Sequence, residues 1–123
     1  MEAFVLRAGG EEYRLAMPAA QVLAAEKQLG GMSLPEAMDK VDRVAVQQAL
    51  LWASLQKHNH GMTMERVCGL MDAMRGGCEI DGVAYPDFSM ETRVRLCARI
   101  LIAAGFFTGD AAAELGSRLA AQP

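Results

Sequence analysis

Residues 42–57, DRVAVQQALLWASLQK, hold so few polar side chains that a helix built from them has no broad face to offer water. Only Arg43, Gln47, Ser54 and Lys57 trace a narrow polar strip along it. A helix that is apolar on most sides has to be covered on most sides. This segment is therefore expected to be the central, most buried helix, with Trp52 as one of its core anchors. The rest of the chain must supply the cover, and 123 residues suffice for one core and one domain.

The flanking segments read as short elements separated by glycine stops. Residues 3–16, AFVLRAGGEEYRLA, alternate apolar and polar on both sides of Gly9-Gly10, so that Phe4 and Leu6 can oppose Tyr13 and Leu15 in a β-hairpin. Pro18 suits the first turn of a helix that Gly30-Gly31 ends, and Ser33 with Glu36 forms a capping box for a short helix after it. Thr63 caps a helix in which Val67, Leu70, Met71 and Met74 repeat at helical spacing until Gly76-Gly77 stops it. The following CEIDGVAYPDF reads as a loop with at most a short extended piece. Ser89 then caps a long helix with a stripe of Met90, Val94, Cys97, Leu101 and Ala104. The expected fold is mainly α: an N-terminal β-hairpin, 3–16, followed by a compact bundle of about four to six helices over 18–107. Residues 1–107 make the single domain, and 108–123 a weakly amphipathic C-terminal helical tail.

Charge and cysteine usage narrow the function classes. A net charge of −3, with 12 basic side chains scattered among 15 acids, leaves no basic stripe to release counterions from phosphates, so no nucleic-acid partner is expected. The longest purely apolar run, ILIAAGFF at 100–107, falls far short of the roughly 20 residues a membrane helix needs. Three cysteines without a CxxC pair, behind an acid-containing N-terminus with no signal-peptide core, point to reduced thiols in the cytoplasm. Nine methionines in a chain that is 52% hydrophobic suggest adaptable apolar surface beyond what one core hides.

No catalytic constellation emerges. His58 and His60 lie in SLQKHNHGM, where an i, i+2 pair at a helix end sends the two rings apart. They are expected to sit in the last turn, their imidazoles meeting unpaired carbonyls. Cys68 and Cys97 fall on apolar helical stripes and Cys78 in the loop, so none reads as a catalytic thiolate. The paired glycines lack the Lys-Ser or Lys-Thr of a phosphate loop. Glu26 breaks the apolar side of its helix, which requires either a partner or an interface. No cofactor or metal is expected.

Taken together, EEYRLAMPAAQVLAAEKQLGG, LLWASLQKHNHGM, the VCGLMDAMRGG helix end and the closing RILIAAGFF resemble a family of small phage and prophage tail assembly chaperones. The resemblance spans residues 11–107 and rests on a strand leading into a helix with Glu26-Lys27, the Gln-Lys-His-x-His-Gly segment, and the aromatic pair Phe106-Phe107. It implies a non-enzymatic role in the assembly of long, non-contractile tails, in the host cytoplasm, with the tape-measure protein and tail-tube protein as partners and self-association into a homo-oligomer. Candidate protein-binding residues are Phe106, Phe107, Met71, Met74 and Glu26. Two other classes stay open: a small DNA-associated regulator using residues 42–57 and 63–75 as a helix pair with Arg93, Arg95 and Arg99, and a metal-dependent hydrolase using His58 and His60.

Overall fold

The computed structural model describes residues 3–106. Strands β1 (Phe4–Ala8) and β2 (Glu11–Leu15) form the expected antiparallel hairpin, with Phe4 opposite Leu15 and Leu6 opposite Tyr13. Alternation along the strands turns Phe4, Leu6, Ala8 and Leu15 into the core. It leaves Arg7 outside, between Glu12 at 2.8 Å and Glu79 at 3.4 Å. Helix α1 (Ala19–Gln28) starts after Pro18, and the short α2 (Leu34–Met38) starts at Ser33, whose Oγ accepts from the Glu36 backbone N–H at 3.2 Å. The Glu36 carboxylate does not reach back as a capping box would have it; it pairs with Lys40 at 3.3 Å. Helices α3 (Val44–Leu55), α4 (Met64–Met74) and α5 (Met90–Ala103) follow, and Thr63 caps α4 by accepting from the Arg66 N–H.

The expectation of a mainly α bundle is corrected to a mixed α/β architecture. Residues CEI and VAY of the expected loop are strands β3 (Cys78–Ile80) and β4 (Val83–Tyr85), and the sheet has four antiparallel strands in the order β2-β1-β3-β4. Strands of three residues are too short to show a period of two on their own. Their turn is the informative part: Asp81 and Gly82 both have positive φ, 50° and 84°, as a two-residue hairpin turn requires. The hairpin is then held by pairing with β1, where Leu6 opposes Ile80 and Arg7 opposes Glu79, a contact more than 70 residues away along the chain.

Helix α3 packs against α1, α4, α5 and β2, which makes it the central helix as expected. Leu50, Leu51, Ala53 and Leu55 are fully buried there, facing Val94, Cys97, Ile100 and Leu101 of α5 within one cluster. The polar strip, however, is partly turned inward. Gln47 is buried, its Nε2 donating to the Val41 carbonyl at 2.8 Å and its Oε1 accepting from Arg93 Nη1 at 3.2 Å, and Ser54 is buried with its Oγ donating to the Leu51 carbonyl at 2.9 Å. Fully partnered amides and hydroxyls lose little by burial. In exchange, Val44 and Ala45 at the start of α3 face solvent, and Trp52 is only half-buried at the rim of the core. Among the described residues no helix is long and apolar enough to cross a membrane.

Candidate protein-interaction site

The H-N-H segment works through its middle letter. Asn59 donates from Nδ2 to the Arg14 carbonyl at 2.7 Å and to the Leu55 carbonyl at 2.9 Å, tying the end of α3 to the edge strand β2. The Ala16 N–H donates to the Ser54 carbonyl at 2.9 Å beside it. Gln56 Nε2 serves the Trp52 and Met62 carbonyls at 2.9 and 2.8 Å, and Arg66 Nη1 serves those of His60 and Gly61 at 3.3 and 3.1 Å. Amide and guanidinium groups therefore do what was expected of the imidazoles. His58 and His60 are exposed, and among the described residues no group of three His, Cys, Asp or Glu side chains is placed to hold a metal ion.

The residues proposed for binding are not brought together. Glu26 is half-buried, and its Oε2 accepts from the Leu34 N–H at 3.2 Å, so the carboxylate caps α2 from α1. Met74 is fully buried and Met71 retains 8% of its surface, at the floor of a groove. Phe106 is 45% exposed just beyond α5, while Phe107 and the tail 108–123 lie outside the described residues. The basic cluster of α5 is largely neutralised within the chain: Arg95 pairs with Glu91 at 3.0 Å and Arg99 with Asp81 at 2.8 Å, with the Arg99 guanidinium also 4.6 Å from the centre of the Phe4 ring. Arg93 lies over Phe88 at 4.2 Å and donates to its carbonyl.

The three thiols are free and differ in setting. Cys97 is buried in α5, and desolvation pushes its pKa up to about 12 against the opposing charge of Arg93. Burial likewise raises that of Cys78, which lies in β3 rather than in a loop. Cys68, expected on a buried stripe, is exposed on α4, where its sulfur accepts from Gln48 Nε2 at 3.0 Å.

What the surface offers is apolar area. Leu23 on α1 is 67% exposed and Val44 on α3 is 56% exposed, with Val83 and Met90 each about half-exposed. Two grooves flank the first turns of α3. One, of about 290 Å³, runs against the end of α1 and is lined by Leu29, Met32, Arg43, Ala45, Gln48 and Ala49 among others. The other, of about 230 Å³, runs against α4 and is lined by Val44, Gln48, Cys68, Met71, Arg75 and Arg93 with Asp72. Gln48 borders both, so the N-terminal half of α3 stands as a ridge between them. Sequence reading missed this ridge because it assigned the apolar side chains of residues 42–57 to the core. The exposure becomes legible only once Gln47 and Ser54 are seen to take buried positions. Comparison with protein-family models, with curated proteins and with solved structures gives no match.

Proposed function

We propose that the chain is a non-enzymatic phage or prophage tail assembly chaperone, which binds the tape-measure protein and tail-tube subunits during tail morphogenesis in the bacterial cytoplasm and self-associates while doing so. The observation that carries the reading is the exposure of large apolar side chains at several places on a small domain, Leu23, Val44 and Phe106 among them. Exposed apolar area of this kind is the feature an apolar, helical client needs in a partner. The motif resemblance of residues 11–107, including Lys57-His58-Asn59-His60-Gly61 and Phe106-Phe107, supplies the identity of the client. Arg95 and Arg99, two of the three α5 arginines that a DNA-binding role would use, pair with carboxylates within the chain, which favours a protein client over a duplex.

The test is co-expression with a tape-measure fragment and tube subunits of a long, non-contractile tail. The expected result is a co-purifying complex that keeps the fragment in solution, weakened when Phe106 and Phe107 are both changed to Ser, with the helical circular dichroism retained. A protein that stays monomeric at tens of micromolar and captures neither client contradicts the reading.

A further inference from the structure

The ridge at the start of α3 and its two grooves are an interaction surface with a charge bias that sets it apart from the rest of the molecule. Their linings hold three arginines, Arg43, Arg75 and Arg93, and one carboxylate, Asp72, whereas the chain as a whole has a net charge of −3. Asp72 meets Arg75 at only 3.9 Å on an open surface, a contact worth little. Neither Arg43 nor Arg93 pairs with a carboxylate among the described residues. Apolar side chains line both sides of the ridge: Leu29, Met32 and Ala45 on one, Val44 and Met71 on the other. Arg43, the N-cap residue of α3, is exposed and makes no ion pair among the described residues.

From this we infer that the ridge docks an amphipathic helix of a partner whose apolar stripe is flanked by carboxylates. Two grooves that share Gln48 as a common border offer apolar seats on either side of α3 for the side chains of such a stripe at i, i+3, i+4 and i+7. Arg43 and Arg75 at the rim provide sites for the flanking acids, with Arg93 adding positive charge while it stays bonded to Phe88 and Gln47, and Met32 and Met71 give an adaptable floor. The reading deepens the client-binding function by placing the client and stating its chemistry, and it rests on that function only for the client's identity.

A synthetic helix tests it without any tail protein. Fluorescein-labelled peptides with leucines at i, i+3, i+4 and i+7 and either Glu or Lys at the flanking positions would be titrated with the full chain by anisotropy. The Glu peptide is expected to bind in the micromolar to tens-of-micromolar range and at least about tenfold tighter than the Lys peptide, with the difference shrinking at high salt. Val44→Asp and the pair Arg43→Glu, Arg75→Glu should each weaken it about tenfold, and bound peptide should slow maleimide labelling of Cys68, which lines the groove. Each variant is checked by its denaturation midpoint, and Glu65→Gln, exposed on α4 and outside both grooves, serves as the surface control. Equal binding of the two peptides, full binding by Val44→Asp, or unprotected Cys68 would overturn the proposal. So would a change in the oligomeric state of the free chain caused by Val44→Asp, because the ridge would then be a contact between copies. Failure of the tail co-expression with success here would discard the tail client and keep the docking surface.

Discussion

The two ends of α3 belong to one helix and one sequence pattern, yet they are built differently. At the C-terminal end Gln56, Asn59 and Arg66 serve successive carbonyls, Asn59 reaches across to β2, and Leu55 is fully buried. At the N-terminal end no side chain caps the helix, Val44 and Ala45 face solvent, and grooves open on both sides. Free backbone carbonyls and buried apolar surface are satisfied at one end, while at the other apolar surface is left uncovered and Arg43 makes no ion pair among the described residues. The difference teaches that hydrophobic content alone does not say which part of a helix is core. The positions of the polar partners decide it.

Truncation should separate the ends most strongly. Leu55→Ala removes a fully buried side chain and is expected to cost about 2–5 kcal/mol in chemical denaturation, whereas Val44→Ala should stay within about 0.5 kcal/mol. Comparable losses at the two positions would erase the distinction. Next, Asn59→Ala should cost about 1–2 kcal/mol, because the Arg14 carbonyl at the sheet edge is left to water and the Leu55 carbonyl keeps only the backbone N–H of residue 59 as donor. A stability equal to the parent's would mean that α3 does not depend on that tie.

The core between α3 and α5 gives a pH signature. The folded pKa of Cys97 lies near 12 and its ordinary value is 9.0, so between these limits the unfolded chain releases the thiol proton while the folded chain keeps it. Stability is unaffected below about pH 9 and falls above it, with a slope approaching about 1.4 kcal/mol per pH unit from this group. Melting curves of the parent and of Cys97→Ala from pH 8 to 10.5 should therefore converge as pH rises, after allowing for the volume lost in the variant. Parallel curves would place the thiol in contact with water. The smallest effect is expected from His58→Asn with His60→Asn, within about 0.5 kcal/mol, since both imidazoles are exposed and the carbonyls near them are served by other side chains.

Much of this fold was legible in the sequence. Gly9-Gly10 between alternating strands, Ser33, Thr63 and the paired-glycine stops placed β1, β2 and the five helices within a few residues, because caps and turns are local physics. The second hairpin was missed although Asp81-Gly82 is a hairpin turn signal, since CEI and VAY gain their stability from β1, far away in sequence. The candidate site was less legible. The histidines and Met74 drew notice by their type, yet the residues that act there are Asn59, Gln56 and Arg66, whose partners are backbone atoms of other elements. The ridge depends on which way α3 is rotated about its own axis. That rotation goes with Gln47 accepting from Arg93 of α5, and with the Ser54 carbonyl accepting from the Ala16 N–H beside β2.

The division of labour along α3 is tested most directly by amide hydrogen exchange of the full chain with and without the Glu-flanked helical peptide. Binding at the ridge predicts protection gained in peptides covering residues 43–48 and the facing part of α4 around Cys68 and Met71. Exchange at residues 55–60, tied to β2 and α4 by side-chain bonds at the other end of the helix, should be the same in both states. Protection gained at 55–60, or along β4 and α5 with none at 43–48, would contradict the account.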